Sequence, residues 1–166
     1  MLSSNAWLRL KGNLTVGANG KIALIGNDAA LRVGNGVIED CYMNSTAVLD
    51  FTLDAAGVGS IEVKDLFSVD ETNALLVVDA TAYEGAAATF DLVTFATNTG
   101  TFASNNITVL GAKSWSIGYD TNSMFLDLVP YVPGDTLVIG QDDFDGAGVY
   151  STRTIVGGAN TSGGIT

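Results

Sequence analysis

Residues 8–33 decide the fold, and they read LRLKGNLTVGANGKIALIGNDAALRV. Apolar residues recur here at every second position in short bursts, which is the period of a β-strand. Tracts of glycine, asparagine and aspartate separate the bursts, and these residues accept the left-handed backbone conformations of tight turns. The bursts are Leu8 with Leu10, Leu14 with Val16, Ile22 with Leu24, and Leu31 with Val33.

This spacing predicts an all-β fold and leaves no room for a helix. The bursts begin six to nine residues apart, which is too close for long sandwich strands. Such close spacing is typical of a short-strand β-solenoid resembling a parallel β-helix, in which stacked coils bury one apolar column. The alternatives are a meander of short hairpins and a β-sandwich or jelly roll.

The strands lengthen from residue 47 onward, which predicts a longer-stranded sheet that caps the solenoid. Trp115, Ile117 and Tyr119 alternate with small residues, and Asp120–Ser123 supplies a four-residue turn into the next strand. Alternation places one face of this sheet in water. The core is expected to continue through Leu49, Phe51, Leu53, Phe90, Leu92, Trp115 and Leu126.

An ordered series of short motifs covers residues 8–129. They lie at Leu49, Phe51 and Leu53, at Ile61 and Val63, at Leu76 and Val78, at Phe90–Val93, at Gly100–Phe102, at Trp115, Tyr119 and Asp120, and at Leu126 and Leu128. The order resembles the C-terminal β-solenoid region of autotransporter-like and PEP-CTERM-type bacterial surface proteins. That resemblance implies a surface or secreted scaffold and transfers no catalytic residues.

The composition changes after residue 129. Both prolines, Pro130 and Pro133, lie just beyond it, and glycine pairs follow at 157–158 and 163–164. We therefore expect residues 1–129 to form one solenoid-like domain, and residues 130–166 to form a linker and the start of a truncated further module. A native flexible C-terminus is the alternative. Residues 1–7 lack the features of a signal peptide, so we expect the chain to have been cut from a longer exported protein.

The charge and composition exclude several partners. The net charge is −11, and the seven basic residues are interpreted as scattered, so nucleic acid and an anionic membrane surface are not expected partners. No segment approaches the ~20 apolar residues of a membrane span. Histidine is absent, and Cys41 is the single cysteine, expected to be a small apolar residue. Histidine-dependent catalysis, histidine metal sites and an internal disulfide are therefore excluded. We expect an extracellular or cell-surface protein.

Residues 141–146 form a calcium candidate. Asp143, Asp145 and Gly146 match three positions of a calcium loop, and Asp142 adds a carboxylate. Gln141 and Thr152 stand where the first and twelfth ligands belong, so an EF-hand is rejected. The expectation is weak calcium binding or none, with an acidic turn as the plain alternative.

Two further sets of residues are candidates for activity. Asp65, Asp70 and Glu71 resemble paired carboxylates of a glycosidase, but carboxylates are abundant here and solvated edge charges explain them better. No enzyme is therefore predicted. Among the aromatic residues, Trp7 and Tyr83 are the exposed candidates for glycan stacking.

Three functions remain open from the sequence. The first is a non-catalytic structural or adhesive module that contacts neighbouring domains of the same polypeptide. The second is a carbohydrate-binding module for a polysaccharide. The third is a self-associating filament subunit, in which an unpaired strand such as residues 135–139 adds to a neighbouring sheet.

Overall fold

The computed structural model describes residues 1–34 and 39–131 in full, and the backbone of two later strands. These residues form strands β1 to β16 and one 3-10 turn. Their bounds are β1 Trp7–Leu10, β2 Leu14–Val16, β3 Lys21–Ile25, β4 Ala30–Val33, β5 Cys41–Met43, β6 Val48–Thr52, β7 Ser60–Val63, β8 Leu66–Val69, β9 Leu75–Asp79, β10 Ala88–Thr94, β11 Thr97–Thr99, the 3-10 turn Ser104–Asn106, β12 Ile107–Leu110, β13 Ala112–Tyr119, β14 Ser123–Pro130, β15 Thr136–Asp142 and β16 Ser151–Val156.

Strands β1 to β12 wind into four coils of a three-faced parallel β-solenoid. Face 1 contains β1, β4, β7 and β10; face 2 contains β2, β5, β8 and β11; face 3 contains β3, β6, β9 and β12. Each strand pairs in parallel with the strand one coil away, as Leu14 does with Cys41 and Val48 with Leu75. The predicted fold class is confirmed: the chain is a β-solenoid and neither a hairpin meander nor a sandwich.

One apolar column runs through the coils. On face 3, Leu24 lies beside Phe51 and Phe51 beside Val78, and all three side chains are fully buried. Burying one such side chain contributes about 1.5–3 kcal/mol, so the stack stabilises the coils cumulatively. The predicted core residues that lie in or against this column are Leu14, Val16, Ile22, Leu24, Leu31, Val33, Leu49, Phe51, Leu53, Phe90, Leu92 and Leu126.

Polar side chains tie successive coils together at the corners. The Asn27 N–H donates to Asp54 Oδ2 at 2.9 Å, and the Asn19 N–H donates to Thr46 Oγ1 at 3.0 Å. Asn19 and Thr46 both have positive φ, 59° and 60°, so two equivalent corners share the same left-handed turn. These bonds satisfy turn N–H groups that the parallel ladders leave without partners.

A β-hairpin closes the C-terminal end of the solenoid. Strand β14 pairs antiparallel with β10, and β13 pairs with β14, so face 1 continues as a six-stranded sheet in the order β1-β4-β7-β10-β14-β13. We call this the long sheet. The predicted hairpin and its turn at Asp120 are confirmed: the Asp120 N–H donates to the Ser123 carbonyl at 2.9 Å.

The expectation that Trp115 belongs to the core is wrong. Trp115 lies directly opposite the buried Leu128, on the core side of the hairpin, but it is 40% exposed. The reason is its position, because β13 is the last strand of the long sheet, and within the described ranges Trp115 has a neighbouring strand on one side only.

Residues 1–130 and 131–166 form two compact units. In the second unit, β15 pairs antiparallel with β16, with Leu137 beside Ile155. The strand proposed for filament growth, residues 135–139, thus has a partner along Thr136–Val138, while residue 135 lies outside the described residues.

Candidate functional site

The calcium candidate lies mainly outside the described part of the chain. Asp142 ends β15 opposite Ser151, and Asp143 and Asp145 follow it beyond the described residues. Gln141 and Thr152 are direct partners in the β15–β16 ladder. Calcium binding at this segment stays a prediction.

Tyr83 is buried, so the expectation that it is an exposed glycan platform is wrong. Its hydroxyl donates to the Ala86 carbonyl at 3.0 Å, and its ring meets Phe90 edge to face with centroids 5.3 Å apart. The ring packs against the apolar core instead of presenting a face to solvent. The sequence lacks a signal for this contact, because Tyr83 lies in a loop without strand periodicity.

Trp7 is 71% exposed and begins the first strand of the long sheet. A groove of about 350 Å³ borders it, lined among others by Ala30, Arg32, Ser60 and Glu62. Arg32 Nε lies 3.1 Å from Glu62 Oε2 as an ion pair. The groove therefore combines an aromatic surface with paired charges and a hydroxyl, which are the groups that hold a sugar ring.

In the described part of the chain, the outer edge of the first coil, Trp7–Leu10, has no partner strand. Leu8 points along the same column as Leu31 and Ile61, which are 4% and 1% exposed, yet Leu8 is 44% exposed. The difference arises because, among the strands that the structure describes, β1 pairs on the side of β4 alone.

The opposite edge of the long sheet has a second depression, of about 510 Å³, on the hairpin. Asp127 lines it and accepts hydrogen bonds from Thr89 Oγ1 at 2.5 Å and Ser116 Oγ at 3.3 Å. Trp115 and Val129 also line it. Its location on β13 and β14 brings an exposed aromatic residue and a carboxylate to this edge.

Basic and acidic residues are distributed unevenly along the chain. Residues 1–34 carry four basic side chains and one acidic one, whereas residues 65–131 carry eight acidic side chains and one basic one. Four of the seven basic residues thus lie in the N-terminal part of the chain, where Lys21 pairs with Asp50 and Arg32 pairs with Glu62. The first coil is net positive, and the hairpin end of the solenoid is strongly negative.

Asp70, one of the three carboxylates that resemble a glycosidase pair, holds a turn, and so does Asp54. Asp70 Oδ1 accepts the N–H groups of Thr72 and Asn73, both at 3.0 Å. Asp54 accepts the N–H of Asn27 first of all, with those of Ala56 and Gly57, and these bonds lower its pKa. Within the described ranges, no three acidic or cysteine side chains are grouped as a metal site would require.

An acidic depression of about 560 Å³ lies beside the hairpin turn. Each carboxylate there has a partner: Glu62 pairs with Lys64, Asp91 accepts from Ser123 Oγ at 3.0 Å, and Asp120 accepts backbone N–H groups. Those backbone bonds hold the pKa of Asp120 below its usual value.

Cys41, which the sequence predicts to be a small, half-buried apolar residue, is fully buried in face 2. Burial raises the pKa of its thiol to about 12, so the thiolate is scarce at neutral pH.

In the described part of the chain, no helix is long and apolar enough to cross a membrane. Comparison with protein-family models, curated proteins and solved structures finds no match to this chain.

Proposed function

We propose that this chain is a non-catalytic structural or adhesive module of a larger extracellular or cell-surface protein, with neighbouring domains of the same polypeptide as partners. The observation that carries the proposal is the continuous core. Buried side chains run through all four coils, and side-chain bonds join the coils at their corners. Such a stack is stiff and presents outward side chains at a regular spacing, which suits a spacer or a display surface.

The use of the carboxylates supports a non-catalytic role. Asp70, Asp54 and Asp120 hold turns, and Asp50 pairs with Lys21 on the outer side of face 3. A general acid in a glycosidase needs a raised pKa, whereas Asp54 and Asp120 have lowered pKa values.

Two measurements test this proposal. An antibody against the chain should label the surface of intact source cells or detect the protein in their medium. Detection only after the cells are lysed would contradict an extracellular or cell-surface location. The full chain should not hydrolyse a panel of glycoside, ester and peptide substrates. Turnover that Asp91→Asn or Asp70→Asn abolishes would contradict the non-catalytic role.

A second candidate function is carbohydrate binding, and the groove beside Trp7 favours it. An indole stacked on a sugar ring, with Ser60 and the Arg32–Glu62 pair beside it, would supply both apolar contact and hydrogen bonds. A glycan array should then show binding that Trp7→Ala abolishes and the control Trp115→Ala preserves. Equal binding by both variants would exclude this groove.

A further inference from the structure

The two outermost strands of the long sheet run in the same direction. Strand β1 is parallel to β4, β7 and β10; β14 is antiparallel to β10, and β13 is antiparallel to β14. Two reversals restore the original direction, so β13 is parallel to β1. A second copy that placed β1 beside β13 would therefore repeat the parallel pairing that joins the coils.

Both edges lack a partner strand among the described residues, and both expose apolar side chains. On β1 these are Trp7 and Leu8, and on β13 the residue is Trp115. Leu8 shares the core side of the sheet with Leu31, and Trp115 shares it with Leu128. An unpaired strand with exposed apolar residues is a template for adding another strand.

The charges select head-to-tail contact over head-to-head contact. Residues 1–34, which form the β1 end, have three more basic than acidic side chains; residues 65–131, which form the β13 end, have seven more acidic than basic ones. A two-fold axis would pair β1 with β1 and bring like charges together. Stacking the first coil of one copy on the hairpin of another brings opposite charges together.

We propose that copies of this chain join head to tail, with β1 of one copy adding in parallel to β13 of the next. A register with Leu8 beside Trp115 keeps both on the core side, places Leu10 beside Ile117, and sets Arg9 beside Ser116. Asp127 is the direct partner of Ser116 on the adjacent strand, so Arg9 and that carboxylate share one side of the sheet, two strands apart. The contact is heterologous and leaves a free edge at each end, so it repeats into a filament. This inference goes beyond the proposed function and does not depend on where the chain is displayed.

Sedimentation velocity on the full chain tests the proposal. The weight-average mass should rise with protein concentration at low salt and fall at about 0.5 M salt, where exposed charges are screened, and negative-stain microscopy should show linear particles. Arg9→Glu should weaken association by about tenfold or more. The charge-matched control Lys64→Glu, in the middle of the solenoid, should change it by less than about twofold.

A reciprocal exchange of charges distinguishes the loss of the contact between copies from misfolding of a variant. Arg9→Glu combined with Asp127→Arg restores opposite charges across the contact, so the double variant should regain association that either single variant loses. Circular dichroism confirms that each variant retains its β-structure; for a variant that unfolds, the cross-linking experiment below decides. A chain that stays monomeric up to about 1 mM, or a double variant that does not recover, would overturn the proposal.

Cross-linking distinguishes the two arrangements. A chain with Arg9→Cys and Ser116→Cys, treated with a short bismaleimide, should give a ladder of dimers, trimers and larger products, while Cys41 stays unreacted because it is buried. Arg9→Cys alone should give no ladder. Dimers from the single variant would indicate head-to-head contact. If the double variant gives monomers alone, cross-linked within one chain, the copies do not touch. Either result overturns the proposal.

Discussion

The two ends of the solenoid are finished in different ways. At the C-terminal end the hairpin buries Met124, Leu126 and Leu128, and the Tyr119 hydroxyl accepts the Phe102 N–H at 3.2 Å. At the N-terminal end the chain adds a single bridge, from Leu2 to Leu24 on face 3. A stack of coils needs a cover wherever its column ends. Among the described residues, the hairpin covers one end, and the outer edge of β1 at the other end has no partner strand.

Removing a buried side chain from the covered end should have the largest effect. Leu126→Ala should lower the free energy of unfolding by about 2–5 kcal/mol, because Leu126 is fully buried and the hairpin cannot collapse onto the space it leaves. Urea unfolding followed by circular dichroism measures this. A change below about 1 kcal/mol would mean that the hairpin is not part of the cooperative core.

Two glycines at opposite ends sharpen the comparison. Gly111 leads into the hairpin with φ of 73°, and a Cβ there would lie 2.5 Å from the Thr81 backbone nitrogen. Gly111→Ala should therefore cost about 2 kcal/mol or more in the same unfolding experiment. Gly12, in the first coil, has no atom within 4 Å of its Cβ position and no positive φ. Gly12→Ala is the control, and it should be neutral or stabilising by up to about 1 kcal/mol. Equal losses of stability in Gly111→Ala and Gly12→Ala would contradict the difference between the two ends.

The sequence predicted the faces of the solenoid unequally. Strands β3 and β6 follow clear alternation, and their inward residues were placed correctly. On face 2 only β2 was recognised. Strand β5 has three residues, and β11 reads Thr-Asn-Thr with every residue exposed. Pairing with the neighbouring coil holds these strands in place. The residues that determine them therefore lie about one coil away in the sequence, so local periodicity does not reveal these strands.

The candidate site was harder to predict than the core. Alternation correctly assigned Trp115 to the core side of β13, but it does not indicate whether a further strand covers that side. The uneven charge is already visible in the sequence, and the fold adds that Arg9 and Arg32 become neighbours when β1 pairs with β4. The exposure of Leu8 depends likewise on the number of strands in the sheet.

Acid should act on the covered end through Asp120. Its folded-state pKa is lowered from 3.8 by backbone N–H groups of the hairpin turn, chiefly that of Asn122. A lowered pKa stabilises the fold above pH 3.8, and this contribution is lost as the pH falls through the folded-state pKa. The stability advantage of the native chain over Asp120→Asn should therefore shrink as the pH drops from 6 to about 2.5.

The difference between these two chains is the quantity to measure, because acid also reduces the repulsion of a chain with net charge −11. Unfolding of both chains in urea at each pH gives that difference. An advantage that grows toward low pH would mean that the turn does not favour the charged carboxylate.

The smallest effect is expected at the open end. Leu8→Ala removes a side chain that is 44% exposed, so it loses only part of the transfer free energy and leaves no closed cavity. In dilute solution the cost should be about 1 kcal/mol or less, well below that of Leu126→Ala.

The same variant also tests whether the edge is covered by another copy. If β1 of one chain adds to β13 of the next, association buries Leu8, and the cost of Leu8→Ala should rise as protein concentration increases, while that of Leu126→Ala stays constant. Urea unfolding of both variants at two concentrations, one below and one above the onset of association, measures this. A cost for Leu8→Ala that is already as large as that of Leu126→Ala in the monomer would mean that the first coil is covered within a single chain.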